Sequence, residues 1–172
     1  VAIVGGGYIG LELGCALRKL GTEVTVVEGM DSILGIMDKE IRRPLEIWLK
    51  KNKVTVHTNA LAKGAKIKGK GASRKVELTF EKDSEEQKIT VDKILVTVGR
   101  GPNSKGWGVE NMGIRMDTSG RFIRIDRQCR TSAPGVYAIG DVAGEPMLAH
   151  KASAQGEMVA EIISGEKREF DK

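Results

Sequence analysis

Three glycines near the start of the chain, Gly5, Gly7 and Gly10, stand at G-x-G-x-x-G spacing directly after the apolar run VAIV. Glu28 closes the next apolar run, EVTVVE. Strand, glycine loop, helix and a second strand ending on an acid are the parts that a dinucleotide requires. Gly5 permits the tight turn, Gly7 lets the backbone approach a pyrophosphate, and Gly10 lets helix and strand pack closely. Gly14 extends the line of small residues by one turn. The phosphates would lie on the helix N-terminus, where free N–H groups and the helix dipole favour negative charge. Glu28 is placed to accept hydrogen bonds from an adenosine ribose. The same carboxylate repels a 2′-phosphate, and Gly29-Met30-Asp31 supply no Arg to hold one, so NAD is expected over NADP. A structural glycine turn and a methyltransferase loop are the rival readings, the second disfavoured because such loops rarely carry three glycines in this register.

The other reactive side chains point to less. Tyr8 and Glu12 share a helical face, and spacing alone makes Glu12 a first-turn acid that complements the dipole. Cys15 and Cys129 form no CxxC pair and have no His cluster beside them, so they read as reduced thiols acting as small hydrophobes, with no zinc site. His150 taken alone reads as a packed or capping histidine.

The elements that must hold these residues follow from periodicity. Residues 1–4 read as a buried parallel strand. Ile9, Leu13, Ala16, Leu17 and Leu20 lie on one stripe of the helix that follows, which Gly21 stops. Residues 23–28 give the second strand. Asp38 is a candidate cap for a second helix with Ile41, Leu45, Trp48 and Leu49 inward, and Pro44 should kink or delay it. Residues 53–57 read as a third strand. Val76, Leu78 and Phe80 then alternate with polar residues, as do Ile89 and Val91, which predicts an antiparallel meander with one wet face. Residues 94–98 return to a buried parallel strand. From about Gly120, the candidate boundary, RFIRID, QCRTS and VYAIGD read as short strands, and Leu148 to Ser164 as a helix.

Composition bounds the reading. The 172 residues are 40% hydrophobic and 30% charged, enough for one domain and part of another with a core. No apolar run approaches the roughly 18 residues of a membrane span. The formal charge is +5. Its densest basic stretch, Lys63 to Lys75, runs into Glu77, Glu81, Asp83, Glu85 and Glu86 without interleaved aromatic rings, so a solvated hairpin is expected and nucleic acid is not. The opening VAIV suggests a piece of a longer protein.

Five phrases in order, GGGYIGLELG, VTVVE, VTVGRGPN, APGVYAIGDV and EPMLAHKASAQG, resemble the flavin-dependent pyridine nucleotide–disulfide oxidoreductases over nearly the whole chain. PMLAHKA most resembles the dihydrolipoamide dehydrogenase branch. In that family an NAD domain is inserted into an FAD domain. The resemblance implies an α/β fold: a Rossmann-like parallel sheet with an antiparallel β-meander insertion over residues 1–119, and a partial FAD-domain segment over residues 120–172. It implies that Gly5, Gly6, Gly7, Tyr8, Ile9, Gly10, Leu11 and Glu12 line NAD, with Tyr8 covering the nicotinamide pocket and Glu12 facing the amide. Glu28 would hold the adenine ribose, Ala60 would lie near the adenine, and Gly99 near the nicotinamide end. Asp141 matches an acid that bonds the ribitol of FAD. Met147, Leu148, Ala149 and His150 match a segment that sets a helix start beside the flavin, where the dipole favours negative charge on the reduced ring.

The same family uses an FAD phosphate loop, a closely spaced redox cysteine pair and a dimerisation domain bearing an acid–base histidine. Cys15 and Cys129 match neither redox cysteine, so no catalytic residue is expected here, and the chain alone should be monomeric and should not turn over lipoamide. Gly101 stands where many relatives carry Arg. For the parent, the resemblance implies electron flow from dihydrolipoamide through a cysteine disulfide and FAD to NAD. It further implies a homodimer within a 2-oxo acid dehydrogenase complex, in the cytoplasm or, in a eukaryote, the mitochondrial matrix. A sister flavin disulfide reductase, an NADH oxidase and a stand-alone NAD-binding module remain open.

Overall fold

Strands as apolar as VAIV and VTVV must be covered on both faces, and the computed structural model shows how. It describes residues 1–170, and the chain divides into two compact units, Val1–Gly99 and Arg100–Lys172, a division that falls before the composition shift at Gly120.

In the first unit β1 (Ala2–Val4), β2 (Thr25–Val27), β3 (Thr55–His57) and β7 (Ile94–Val96) form a parallel sheet in the order β3-β2-β1-β7. Ile3 pairs with Val26 and with Leu95, so one face of the sheet presents these side chains together. That face packs under α1 (Tyr8–Lys19) and α2 (Lys39–Lys51), in a core of Ile3, Leu11, Val24, Val26, Ile33, Leu49 and Val54. The opposite face carries Ala2 and Val27, which pack with Ala60, Leu78 and Phe80 of a second, antiparallel sheet. This sheet is β4 (Ala60–Lys68), β5 (Lys75–Lys82) and β6 (Glu85–Val91) in sequence order. Helices, parallel sheet and meander thus form three layers, with fully buried Phe80 central to the second core.

Several local expectations shift. The inner face of α1 is Gly10, Leu11 and Gly14 with part of Leu17, whereas Leu13, Ala16 and Leu20 of the expected stripe are exposed. Small residues win because the helix lies close on β1: a Cβ on Gly14 would stand 2.7 Å from Ile3 Cδ1. In α2, Leu49 is buried and Leu45 and Trp48 are partly so, but Ile41 is exposed. Asp38 sits at the N-cap without a side-chain cap bond, and the helix runs unbroken through Pro44. The basic stretch Lys63–Lys68 is a full edge strand, β4, with Lys63 and Lys68 paired to Glu81 and Glu77 on β5.

In the second unit the segments expected as strands form no ladder among the described residues, only the isolated bridges Met116↔Ile123 and Arg130↔Tyr137. Two aspartates bend the chain into tight turns instead. Asp117 accepts from the Arg121 and Phe122 N–H groups, and Asp126 from those of Gln128 and Arg130, a local competition with pairing. Val109, Ile123, Ala138 and Ala143 form the core, and α3 (Ala149–Ile163) closes the unit.

Candidate functional site

The loop between β1 and α1 is shaped by its glycines one at a time. Gly5 has φ +101°, and a Cβ there would fall 2.5 Å from the Thr97 carbonyl oxygen. A Cβ on Gly10 would meet both Gly5 O and Thr97 Oγ1 at 2.5 Å. These two positions are closed by the protein itself. At Gly7 a Cβ would meet nothing within 4 Å, so the surface above it is open to a ligand. The first helical bond of α1 runs from Leu11 N–H to Gly7 O at 3.1 Å, which leaves the N–H groups of Tyr8, Ile9 and Gly10 without helical partners at that open surface. An anion fits this cradle on charge and on space.

Glu28 follows β2 and is fixed from four sides. Its Oε2 accepts from Gly6 N–H at 2.5 Å and its Oε1 from Met30 N–H at 2.7 Å. Its own N–H donates to His57 O, and its carbonyl accepts from Ala60 N–H, both at 2.8 Å. The carboxylate is therefore joined directly to the glycine loop. Ala60 meets Glu28 through its backbone only, because its side chain is buried in the second core. Tyr8 is half exposed at the loop, and Glu12 is exposed in the second turn of α1, beyond the first turn where an acid would best complement the dipole. Ile9 is half-buried and Leu11 fully buried against the sheet, so Leu11 supports the loop from below. Gly99 takes φ +130° just past β7, with open space at its Cβ position.

Two residues that sequence reasoning missed brace this loop. Arg42 on α2 donates to Ser32 Oγ at 2.5 Å and to Ile33 O at 3.4 Å, tying down the segment that follows Glu28. Thr97 Oγ1 lies 3.1 Å from Val4 O and 3.0 Å from Gly5 O. Thr97 acts across more than ninety positions of the chain, and Arg42 reaches back nine and ten positions along no periodic pattern, so neither bond is readable from local spacing. Nearby, the His57 ring tilts against Phe80 at 5.0 Å, and burial, followed by the Lys82 charge, holds its pKa below the usual histidine range. Burial raises the Cys15 thiol, and Lys19 opposes that more weakly.

The second unit gathers the remaining expected residues. Asp141 lies in the short 3-10 turn Gly140–Ala143 and pairs with Arg100 at 3.3 Å. Gly140 N–H donates to the buried Gln155 Oε1 at 2.8 Å, and a Cβ on Gly140 would press on Ala152 at 3.0 Å, so α3 fixes the turn that presents Asp141. Met147 is half-buried, and Leu148, Ala149 and His150 are exposed where α3 begins. Ala149, His150 and Lys151 precede the first helical bond, from Ala152 N–H to Leu148 O. Among the described residues no His, Cys, Asp or Glu group gathers to hold a metal, and no helix is long and apolar enough to cross a membrane.

The first unit is thus defined as a dinucleotide-type α/β fold, a parallel sheet with its glycine loop and acid at the strand ends. The sequence pattern of the pyridine nucleotide-disulphide oxidoreductases matches residues 1–156, and the chain belongs to that family. It is 47% identical over 170 residues to the dihydrolipoyl dehydrogenase of Pseudomonas aeruginosa and 46% over 171 residues to that of Geobacillus stearothermophilus. Each match covers 99% of this chain and 35% of the relative, so the chain spans about a third of the length of these relatives. Solved structures agree. LpdA from Mycobacterium tuberculosis superposes with a TM-score of 0.80 at 31% identity, over 99% of this chain and 36% of that one. The Cu(II) complex of the flavoprotein disulfide reductase RclA from Escherichia coli gives 0.82 at 26% identity, over 98% and 37%.

Proposed function

We propose that this chain is the NAD-binding portion, with part of the FAD-binding portion, of a flavoprotein that oxidises dihydrolipoamide and passes a hydride through FAD to NAD. The observation that carries the reading is the open surface at Gly7 beside unpartnered helix N–H groups and a carboxylate already fixed to the same loop. Gly5, Gly10 and Leu11 shape the cradle from within, and the N–H groups of Tyr8, Ile9 and Gly10 would take the pyrophosphate. Glu28 would take the adenine ribose, with Ala60 holding its backbone. The exposed Tyr8 and Glu12 and the φ of Gly99 suit the nicotinamide end. When bound, NAD supplies a hydride acceptor; the protein's part is to orient it and to exclude a 2′-phosphate through Glu28.

Asp141 and the start of α3, Met147 to His150, would hold FAD at the ribitol and the ring. Asp141 keeps one oxygen on Arg100, and the N–H groups at the start of α3 suit negative charge. The substrate is taken from the relatives' names, and the two domains, residues 1–119 for NAD and residues 120–172 for part of the FAD domain, are proposed on the sequence resemblance. Homodimerisation, membership of a 2-oxo acid dehydrogenase complex and a cytoplasmic or matrix location are proposed for the parent on the sequence resemblance alone. The chain alone supplies no catalytic residue in this scheme. Amide spectra recorded during NAD titration test it. The Gly6, Gly7, Tyr8, Ile9 and Gly10 signals should move together with that of Met30, and movement confined to other regions would refute the site.

A further inference from the structure

The Gly5–Gly6 peptide is gripped at both ends. Its carbonyl oxygen lies 3.0 Å from the Thr97 hydroxyl, and its N–H donates to Glu28 Oε2 at 2.5 Å. In a trans peptide those two groups point in opposite directions within one rigid plane. Turning the carbonyl away from Thr97 therefore turns the N–H away from Glu28. The neighbouring peptides are held separately, so the orientation of the Gly5–Gly6 plane is left to Thr97 and Glu28. Gly5 N–H is held by Val27 O at 2.9 Å, Gly6 O accepts from Leu34 N–H at 2.9 Å, and Thr97 N–H donates to Val4 O at 2.8 Å. Thr97 itself follows β7, whose register against β1 pairs Val96 with Val4 and so sets the hydroxyl over the loop.

We propose that Thr97 is a positioning residue for Glu28, acting through the Gly5–Gly6 peptide plane so that the carboxylate is set before any dinucleotide arrives. The proposal rests on the reading of Glu28 as the ribose acceptor only for its effect on affinity; the coupling itself is a property of the protein. Strand β7 and the carboxylate after β2 are separated in the sheet by β1, and the peptide bridges them. Val in place of Thr97 keeps the branched shape and drops the hydroxyl. Ser keeps the hydroxyl and drops a methyl group.

The test compares Thr97→Val, Thr97→Ser and the wild-type chain by amide NMR and by NADH titration, each alone and with Glu28→Ala. Thr97→Val should move the Gly6 amide proton upfield, speed its exchange and weaken NADH by about three- to tenfold, the range of one neutral hydrogen bond. Thr97→Ser should restore all three. In the Glu28→Ala background Thr97→Val should change affinity less than about twofold, the non-additivity expected of coupled groups. An unmoved Gly6 amide in Thr97→Val, an equal loss of affinity in the Glu28→Ala background, or failure of Ser to rescue would each overturn the proposal. Thr97→Ala gives the same comparison if the Val variant does not fold. A chain that binds no NADH while its Gly6 amide still moves in Thr97→Val would refute the dinucleotide reading and leave the coupling standing.

Discussion

Adding one methyl group at Gly7 and at Gly10 separates the ligand's demands on the loop from the protein's own. Gly7 has φ −77° and ψ 176°, which any residue adopts, and its Cβ direction is empty to 4 Å. Gly7→Ala forfeits the N-cap advantage of glycine but lowers the entropy of the unfolded chain, so stability should stay within about 1 kcal/mol of wild type. In the proposed site the methyl would stand where the pyrophosphate approaches the first-turn N–H groups. Loss of one charge-assisted hydrogen bond, about 1.5–3 kcal/mol, predicts NADH binding weaker by about tenfold to a hundredfold. At Gly10 the same methyl would lie 2.5 Å from Gly5 O and Thr97 Oγ1, and a backbone carbonyl cannot swing aside. Overpacking of that kind costs about 1–3 kcal/mol, which in a chain of 172 residues lowers Tm by about 2–12 °C. Thermal melts followed by circular dichroism, with NADH titrations of both variants, decide the matter. The reasoning fails if Gly7→Ala binds NADH as wild type does, or if it melts as low as Gly10→Ala.

Three further outcomes follow from the packing. Phe80→Ala should destabilise by about 3–5 kcal/mol in denaturant titration, because the ring is fully buried between the two sheets. Gln155→Leu should cost about 1–3 kcal/mol by stranding the Gly140 N–H, and a cost near zero would show the Gly140–Ala143 turn to be held otherwise. His57 has a folded pKa below its unfolded value near about 6.5, so the unfolded chain takes up more protons between the two. Stability contributed by the neutral ring is present above the unfolded value and is lost as pH falls through the folded one. Thermal melts should therefore show wild type losing more stability than His57→Gln as pH is lowered from about 7.5 to 5.

How much of this was legible in the sequence depends on the range of the interaction. The glycine loop and Glu28 are readable because each chemical demand falls on neighbouring residues: a strand, a turn, a helix start and an acid at the next strand end. The inner face of α1 is misread because hydropathy favours Leu13 and Leu20, whereas close approach to β1 selects Gly10 and Gly14. Strand β4 is hidden by its lysines, which point to solvent at the sheet edge and find acids on β5. RFIRID and QCRTS carry strand-like residues, but pairing needs neighbours, and Asp117 and Asp126 hold the flanking turns locally. Thr97 and Arg42 carry no local signal. Their roles exist only once β7 lies beside β1 and α2 folds back over the Ser32–Ile33 segment.

The central claim is a dinucleotide site that selects NAD through Glu28. Calorimetric titration of the chain with NADH, with NADPH as comparator, tests it most directly. The account predicts saturable NADH binding and NADPH weaker by at least about tenfold, since a 2′-phosphate would meet the Glu28 carboxylate. Tighter binding of NADPH, or no saturable binding of either, would contradict it.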